Sequence, residues 1–432
     1  MPKINNSKNT KQVHIKYFSI LTTILFFIAA FLLATPSEII EGMKAIIISR
    51  DALITDYFRL AGYGAAFFNS GIILTIVLTL IIRLNASFNG LAVAAILINA
   101  GFALFGKNPI NIFPILLGTY FYAKVHKTKM SRYLYTALFG TCLSPLVTEV
   151  VYLLPFNLPI NIALALLVGI LIGFILPTLA MHTPTMHLGY NLFNVGFAAG
   201  ILGLGIVSIL KALGFESTPS LIWQEGRPLW LIIVLYTYFL LTFLYGLWLN
   251  KGQLKPLLKI LHHPGRAIAD FILMDGLGAT FMNMGIVGSI SLSYILLIKG
   301  DLSGPIVGAI LTVFGFGAFG VHARNFIPCL LGVYLSTLLS TFTPTGPSMQ
   351  IAALFSSGIA PIAGEFGIVV GILAGMVHAA IVTSTSHMYA GLNLYNNGFS
   401  AGFVAIILVP LLENFKIYLE NKKLQEISND TR

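Results

Sequence analysis

Charge is what this sequence has least of. Lysine, arginine, aspartate and glutamate together make up 9% of its 432 residues, against about 25% in ordinary globular domains. That excludes a soluble fold, because a chain of this length would need a polar surface around its core. Cysteine is nearly absent as well. Cys142 and Cys329 stand apart in apolar stretches without CxxC spacing, which excludes a disulfide framework and a zinc knuckle. No HExxH, GxSxG, P-loop or GxGxxG occurs in a usable context, so neither a metal nor another cofactor is expected. His182 and His187 are five residues apart rather than four, and His378 and His387 lack a cysteine or carboxylate at ligand spacing. Basic residues outnumber acidic ones by 25 to 15, yet there is no basic domain and no patch interleaved with aromatics. Nucleic acid is therefore not an expected partner. The basic residues cluster in short loops and at the N-terminus, the pattern of loops on the cytoplasmic side of a membrane.

What the chain does contain is apolar sequence. Hydrophobic residues account for 57% of it and the mean hydropathy is +0.88. Runs such as LWLIIVLYTYFLLTFLYGLWL (229–249) are long enough to cross a hydrocarbon core of ~30 Å as helices. The first run, Tyr17 to Ala34, is longer than a signal-peptide core and reads as the first transmembrane helix.

The chain repeats itself. GYNLFNVGFAAG (189–200) returns as GLNLYNNGFSAG (391–402), with eight of twelve positions identical. GYGAAFFNSGI (62–72) returns at 276–286, NIFPILLGTY (111–120) at 325–334, and LFGTCLSPLVTE (138–149) at 354–365. The order is kept, which marks an internal duplication. Each half holds seven apolar segments: near 17–34, 60–83, 87–105, 110–125, 133–154, 160–181 and 189–212, then near 229–249, 274–298, 302–320, 326–342, 348–364, 366–386 and 391–412. The organisation read from this is a cytoplasmic tail over 1–16, a membrane repeat over 17–214, a linker over 215–228, a second repeat over 229–415 and a cytoplasmic tail over 416–432.

An odd number of crossings per repeat inverts the second copy relative to the first. The charges agree. The loop with Lys124, Lys127, Lys129 and Arg132 falls inside, while its counterpart TPTGP (343–347) is uncharged and falls outside. The expected fold is thus all-α and integral to the membrane, with about fourteen segments in two inverted seven-segment repeats. If 133–154 and the proline-broken 348–364 were re-entrant, the repeats would instead be parallel.

Three sets of residues are candidates for chemistry. On a helix, Asn191 and Asn194 would share a face, as would Asn393 and Asn396. Each pair follows a stretch rich in helix breakers, PTLAMHTPTMHL or TSTSHMYA, as in a discontinuous helix lining a polar site. The bland alternative is interhelical packing through Gly196, Gly200, Gly398 and Gly402 with amides as glue. Glu149 and Glu365 occupy equivalent places four residues after a proline. Deep in the bilayer they would serve as proton or cation carriers; near a helix end they would only cap. Asn69 and Asn283 sit in matching glycine-rich segments, and Asp275 breaks the symmetry because Ala61 is its equivalent.

On the repeated Asn/Gly motif and the ordered duplication, the chain resembles a family of bacterial multi-pass membrane proteins of unknown function. That resemblance implies a bacterial plasma membrane, with both termini cytoplasmic by the charge pattern, and no activity. The GYN of 189–191 is also similar to a short signature of urea transporters, although those have five segments per half. Seven plus seven inverted segments is similar to the architecture of nucleobase and sulfate transporters. The expected function is transport of a small polar solute, as a secondary transporter or a channel-like facilitator. Asn191, Asn194, Asn393, Asn396, Asn69 and Asn283 would bind the solute, and Glu149, Glu365 and Asp275 would couple protons or cations. The lipid bilayer is the other expected partner, and homo-oligomerisation is left open. The rival readings are a membrane enzyme for a lipid-linked substrate, with the His182/His187 loop as its centre, and a non-catalytic assembly component.

Overall fold

The computed structural model describes residues 2–51, 54–385, 388 and 396–430. Its first half contains α1 (Pro2–Leu33), α2 (Pro36–Ile48), α3 (Tyr57–Arg83), α4 (Gly90–Phe102), α5 (Pro109–Val125), α6 (Leu134–Gly140), α7 (Ser144–Leu153), α8 (Leu158–His187) and α9 (Asn194–Ala212). The second half contains α10 (Leu229–Leu249), α11 (Lys255–Ile260), α12 (Phe271–Met274), α13 (Leu277–Leu297), α14 (Gly304–Phe316), α15 (Ala323–Leu339), α16 (Pro347–Phe355), α17 (Ala360–Phe366), α18 (Ile368–Thr385) and α19 (Asn396–Asp430). Among the described residues nine helices are long and apolar enough to cross a membrane, with Leu134–Leu153 counted as one. Their outward faces carry large apolar side chains such as Leu229, Ile233, Leu240 and Leu241 on α10, as lipid contact requires. This is an all-α, multi-pass membrane protein.

Each expected segment corresponds to a helix or a pair of helices, and the differences lie between and within them. The 35–59 stretch, expected as loop, contains α2. Pro36 starts it, and Thr35 and Glu38 close a reciprocal capping box. The Thr35 N–H and hydroxyl hold the Glu38 carboxyl below its usual range. Segments 133–154 and 348–364 are both interrupted by 3₁₀ turns, at Thr141–Leu143 and Ser356–Ile359. Both terminal tails continue as helix in α1 and α19. The linker over 215–228 supplies strand β2 (Leu221–Ile222), which pairs in parallel with β1 (Ile54–Thr55).

The centre of the molecule is the pair α4 and α14. Both are hydrophobic all round, and all of α14 and every residue of α4 except Leu91 are buried. They run antiparallel and cross without side chains at the closest point. A Cβ on Gly101 would lie 2.5 Å from the Gly308 carbonyl oxygen, and one on Gly308 2.6 Å from that of Gly101. A helix that starts inside a protein has several N–H groups without intrahelical partners. Asn89 and Ser303 cap the third N–H of each helix from their own half, and the first N–H is capped from the other. Asp56 Oδ1 accepts from the Gly304 N–H at 3.0 Å, and Asp270 Oδ2 accepts from the Gly90 N–H at 2.9 Å. Asp56 also bridges through its backbone to Phe105 at the far end of α4, and Asp270 to Phe319 at the far end of α14.

Asn69 and Asn283 complete this frame. Asn69 Nδ2 donates to the carbonyls of Ala103 and Lys107, both at 2.7 Å. Asn283 Nδ2 donates to those of Gly317 and Val321, both at 2.8 Å. Each amide therefore clamps the turn after the central helix of its own half. Replacing Asp56 or Asp270 by alanine leaves buried N–H groups at helix starts unpaired. The expected loss is about 2–5 kcal/mol of stability in either variant, read as a lowered unfolding midpoint in detergent. A midpoint unchanged in both variants would show that these caps do not hold the halves together.

Candidate functional site

Between the halves lies a cavity of about 670 Å³. Its walls come from α4 (Ile98, Phe102), α6 (Tyr135, Phe139) and the non-helical link between α8 and α9 (Leu188, Gly189, Leu192 and Phe193). Arg266–Ile268, Phe316, Phe319 and Phe355 complete them, with the starts of α9 and α19 at Asn194–Gly196 and Asn397–Gly398. The break that shapes it falls after the breaker-rich stretch. α8 carries Pro177 and Pro184 inside it and ends at His187, where Leu188 takes a left-handed conformation. The following link is pinned from the other half: the Ala267 N–H donates to the Gly189 carbonyl at 2.9 Å, and the Leu192 N–H to the Gly358 carbonyl at 2.8 Å.

The expectation that Asn191 and Asn194 share a helical face is therefore corrected, because Asn191 lies in the link and Asn194 opens α9. Asn191 Oδ1 accepts from the Phe193 N–H at 2.9 Å, a local turn that competes with helix. Its Nδ2 reaches the Gly398 carbonyl of the other half at 3.4 Å. Asn194 is fully engaged with α8. Its Oδ1 accepts from Thr183 Oγ1 at 2.7 Å and faces His187 Nε2 at 2.9 Å, while its Nδ2 donates to the Ala180 carbonyl at 2.9 Å. Asn396 repeats the pattern on α18, bonded to Thr385 and, at 3.1 Å, to the Val382 carbonyl. Asn393 and His387 lie outside the described residues.

The two copies of the motif do meet. α9 and α19 touch at Gly196 and Gly398, where a Cβ on Gly398 would lie 2.9 Å from the Gly196 backbone. Phe197 lies against Gly402 and Phe399 against Gly200, a reciprocal exchange of ring and socket. These glycines permit contact between two helix starts at the cavity wall.

The carboxylates separate. Glu149 is 1% exposed and forms a fork with Arg50, at 2.8 Å to Nε and 2.5 Å to Nη2. Arg50 reaches on to Ser217 in the linker, and the Glu149 hydrogen bond raises its guanidinium above the ordinary range. Beside this pair Asp51 is buried, accepting from Tyr57 Oη at 3.2 Å and from Asn111 Nδ2 at 3.4 Å. Glu365 instead makes a surface pair with Lys416 at 3.1 Å. Asp275 sits 2.9 Å from His263 Nε2, just before α13. His187 is buried on Asn194, whereas His182 is exposed.

Sequence reasoning missed Lys107. It follows the turn after α4, is 0% exposed, and donates from Nζ to Asn99 Oδ1 at 3.0 Å and Thr141 Oγ1 at 2.8 Å. Its third side faces the Phe102 ring, 5.1 Å from the centroid. The signal was present, because LFGKNPINIFP in the first half aligns with AFGVHARNFIP in the second, with Val321 opposite the lysine. Arg266, a basic residue of the loop before α12 with no motif around it, also stands at the cavity wall.

The two glutamates are expected to respond differently to substitution. Glu149→Ala leaves Arg50 without its buried partner and lowers the unfolding midpoint clearly. Glu365→Ala costs at most about 1 kcal/mol, as for a surface pair. Equal effects in the two variants would show that their different surroundings do not matter.

No curated protein and no solved structure matches the chain. One family does match, twice, over residues 35–212 and 249–414, so that its two stretches fall one in each half. They cover most of the sequence, and the chain belongs to the family described as Protein of unknown function (DUF1576).

Proposed function

We propose that this protein transports a small polar solute across the membrane, as a secondary transporter or channel-like facilitator, through a site at the interface of two inverted repeats of seven segments each. The observation that carries the reading is the cavity itself, which is bordered by the starts of the equivalent helices α9 and α19 and by the link before α9. Inverted repeats place solute sites there, where backbone freed from regular helix is sheltered by protein rather than exposed to lipid.

Inversion is supported by the central pair. Asp56 lies at the start of α3 and caps the start of α14; Asp270 precedes α12 and α13 and caps the start of α4. Because α3 and α4 are antiparallel neighbours, the equivalent helices α3 and α13 begin at opposite ends of the molecule. Loop charge agrees, with Lys124, Lys127, Lys129 and Arg132 on one loop and none on its counterpart over 343–347.

The roles of the residues shift accordingly. Asn194, Asn396, Asn69 and Asn283 hold the frame, and Asn191 shapes the link. The solute meets the link backbone, the starts of α9 and α19, and Arg266. Coupling by a carboxylate falls to Glu149 and its neighbour Asp51 rather than to Glu365 or Asp275.

The test is uptake by liposomes containing the purified protein, across a panel of urea, amides, nucleobases, organic anions and metal cations. At least one solute is expected to enter about tenfold faster than into protein-free liposomes. Thr136→Trp, which places a large ring in the cavity wall, is expected to abolish that uptake without lowering the unfolding midpoint. Rates equal to those of protein-free liposomes for every solute would overturn the proposal and favour an assembly role for the Asn/Gly contacts.

A further inference from the structure

One cation lines the cavity, and a buried lysine stands behind its wall. Among the described residues that line it, Arg266 is the one formally charged side chain, and none is aspartate or glutamate. Arg266 is held in place. Its Nε donates to the Leu188 carbonyl at 2.6 Å and its guanidinium lies over the Tyr190 ring, 4.5 Å from the centroid. Its Nη1 and Nη2 make no hydrogen bond among the described residues, in the planar fork that suits a carboxylate, while Glu365 and Glu413 act on the same Tyr190 ring outside the cavity lining. The starts of α9 and α19 also converge on the cavity, and each brings the positive end of a helix dipole.

Lys107 stands one side chain behind the wall. Phe102 lines the cavity and also faces the Lys107 ammonium, and Cys142 in the wall follows the lysine's partner Thr141 directly. Its described partners are two neutral oxygens and a ring; no carboxylate is among them. Burying an ammonium without a counter-ion is unfavourable. The second half shows that the fold does not require it. There Val321 follows the same turn, Val313 stands for Asn99 and Ser357 for Thr141, and the turn is clamped by Asn283 as the first is by Asn69. The lysine is an addition to one repeat, and an ionisable side chain in the membrane interior is a default candidate for function.

Much of the wall is aromatic: Phe102, Phe139, Phe193, Phe316, Phe319 and Phe355. Such walls suit an apolar body, and about 670 Å³ lies within the usual size of small-molecule sites.

We propose that the cavity takes an organic anion, an apolar body ending in a carboxylate, which Arg266 binds and Lys107 attracts from behind the Phe102 ring. This deepens the transport reading, since it names the class of solute and rests on the cavity being the solute site.

The test is thermal unfolding of the purified full chain in an uncharged detergent with matched ligands. These are phenylacetate, phenylacetamide and phenethylammonium, and isovalerate against isovaleramide. The carboxylates are expected to raise the midpoint, and the amides and the ammonium compound are not. Arg266→Gln is expected to weaken the carboxylate effect about tenfold, the loss of one charged contact. Lys107→Val installs the residue that the other half carries; it is expected to keep or raise the ligand-free midpoint and to lose the carboxylate response. Should that variant fail to fold, the matched ligands on the unaltered protein still decide. Equal stabilisation by carboxylate and amide, preference for the ammonium compound, or no carboxylate response overturns the proposal. Stabilisation by phosphatidylglycerol alone would also overturn it and assign the cavity to a lipid. Carboxylate stabilisation without liposome uptake keeps the anion site and sinks the transport reading. Uptake of neutral solutes without a carboxylate response does the reverse.

Discussion

The first N–H groups of α4 and α14 open inside the protein, where water cannot satisfy them. Asn89 and Ser303 take one in each helix, and the leading N–H of Gly90 and Gly304 goes to a carboxylate borrowed across the molecule. Asp56 caps α14 and Asp270 caps α4. An unpaired donor at such a site would be costly, so neither central helix is complete without the other half of the chain. The remaining architecture follows from this exchange. The two capped helices lie antiparallel and touch at Gly101 and Gly308. The amides of Asn69 and Asn283 fix the turns after them, and the long helices pack outside with leucine and isoleucine toward lipid.

The same economy explains the repeated Asn/Gly motif. Asn194 and Asn396 bind a helix start to the preceding helix, Asn191 turns a short link, and the glycines let α9 meet α19. What the two copies frame is a space whose walls they share. Function in this account lies less in the repeated residues than in the places where the halves differ. Lys107 faces neutral partners where the second half has Val321 and its neighbours Val313 and Ser357. Glu149 pairs with Arg50 in the interior, while its equivalent Glu365 lies near the surface with Lys416. The repeat supplies the frame, and the departures from it are where the proposed chemistry would lie.

The legible parts of the sequence were those set by hydropathy and by local spacing. Low charge and long apolar runs identify a membrane protein whatever its packing, and matched glycines and asparagines locate the duplication. The position of the helix break was not legible, because Pro177 and Pro184 suggested a break where α8 runs on. In a membrane a proline can stay in a helix, since packing and neighbouring groups make up the lost bond. Asn191 was misplaced for the same reason: its side chain turns the link, and only the contacts with Ala267 and Gly358 hold that link open. The fates of Glu149 and Glu365 depended on Arg50 and Lys416, partners 99 and 51 residues away in the chain, which no local pattern reports. Lys107 was readable in principle, as the one charge in a turn whose twin is uncharged at that position.

The central claim is that the two halves are inverted about the antiparallel pair α4 and α14. Its most direct test uses two single-cysteine variants, Ser131→Cys and Thr345→Cys, in the equivalent loops after α5 and α15. Both are made in a chain with Cys142 and Cys329 replaced by alanine, and labelled in intact cells with a reagent that cannot cross the membrane. Inversion predicts that position 345 is labelled from outside and position 131 only after the cells are opened. Labelling of both positions from the same side would contradict it.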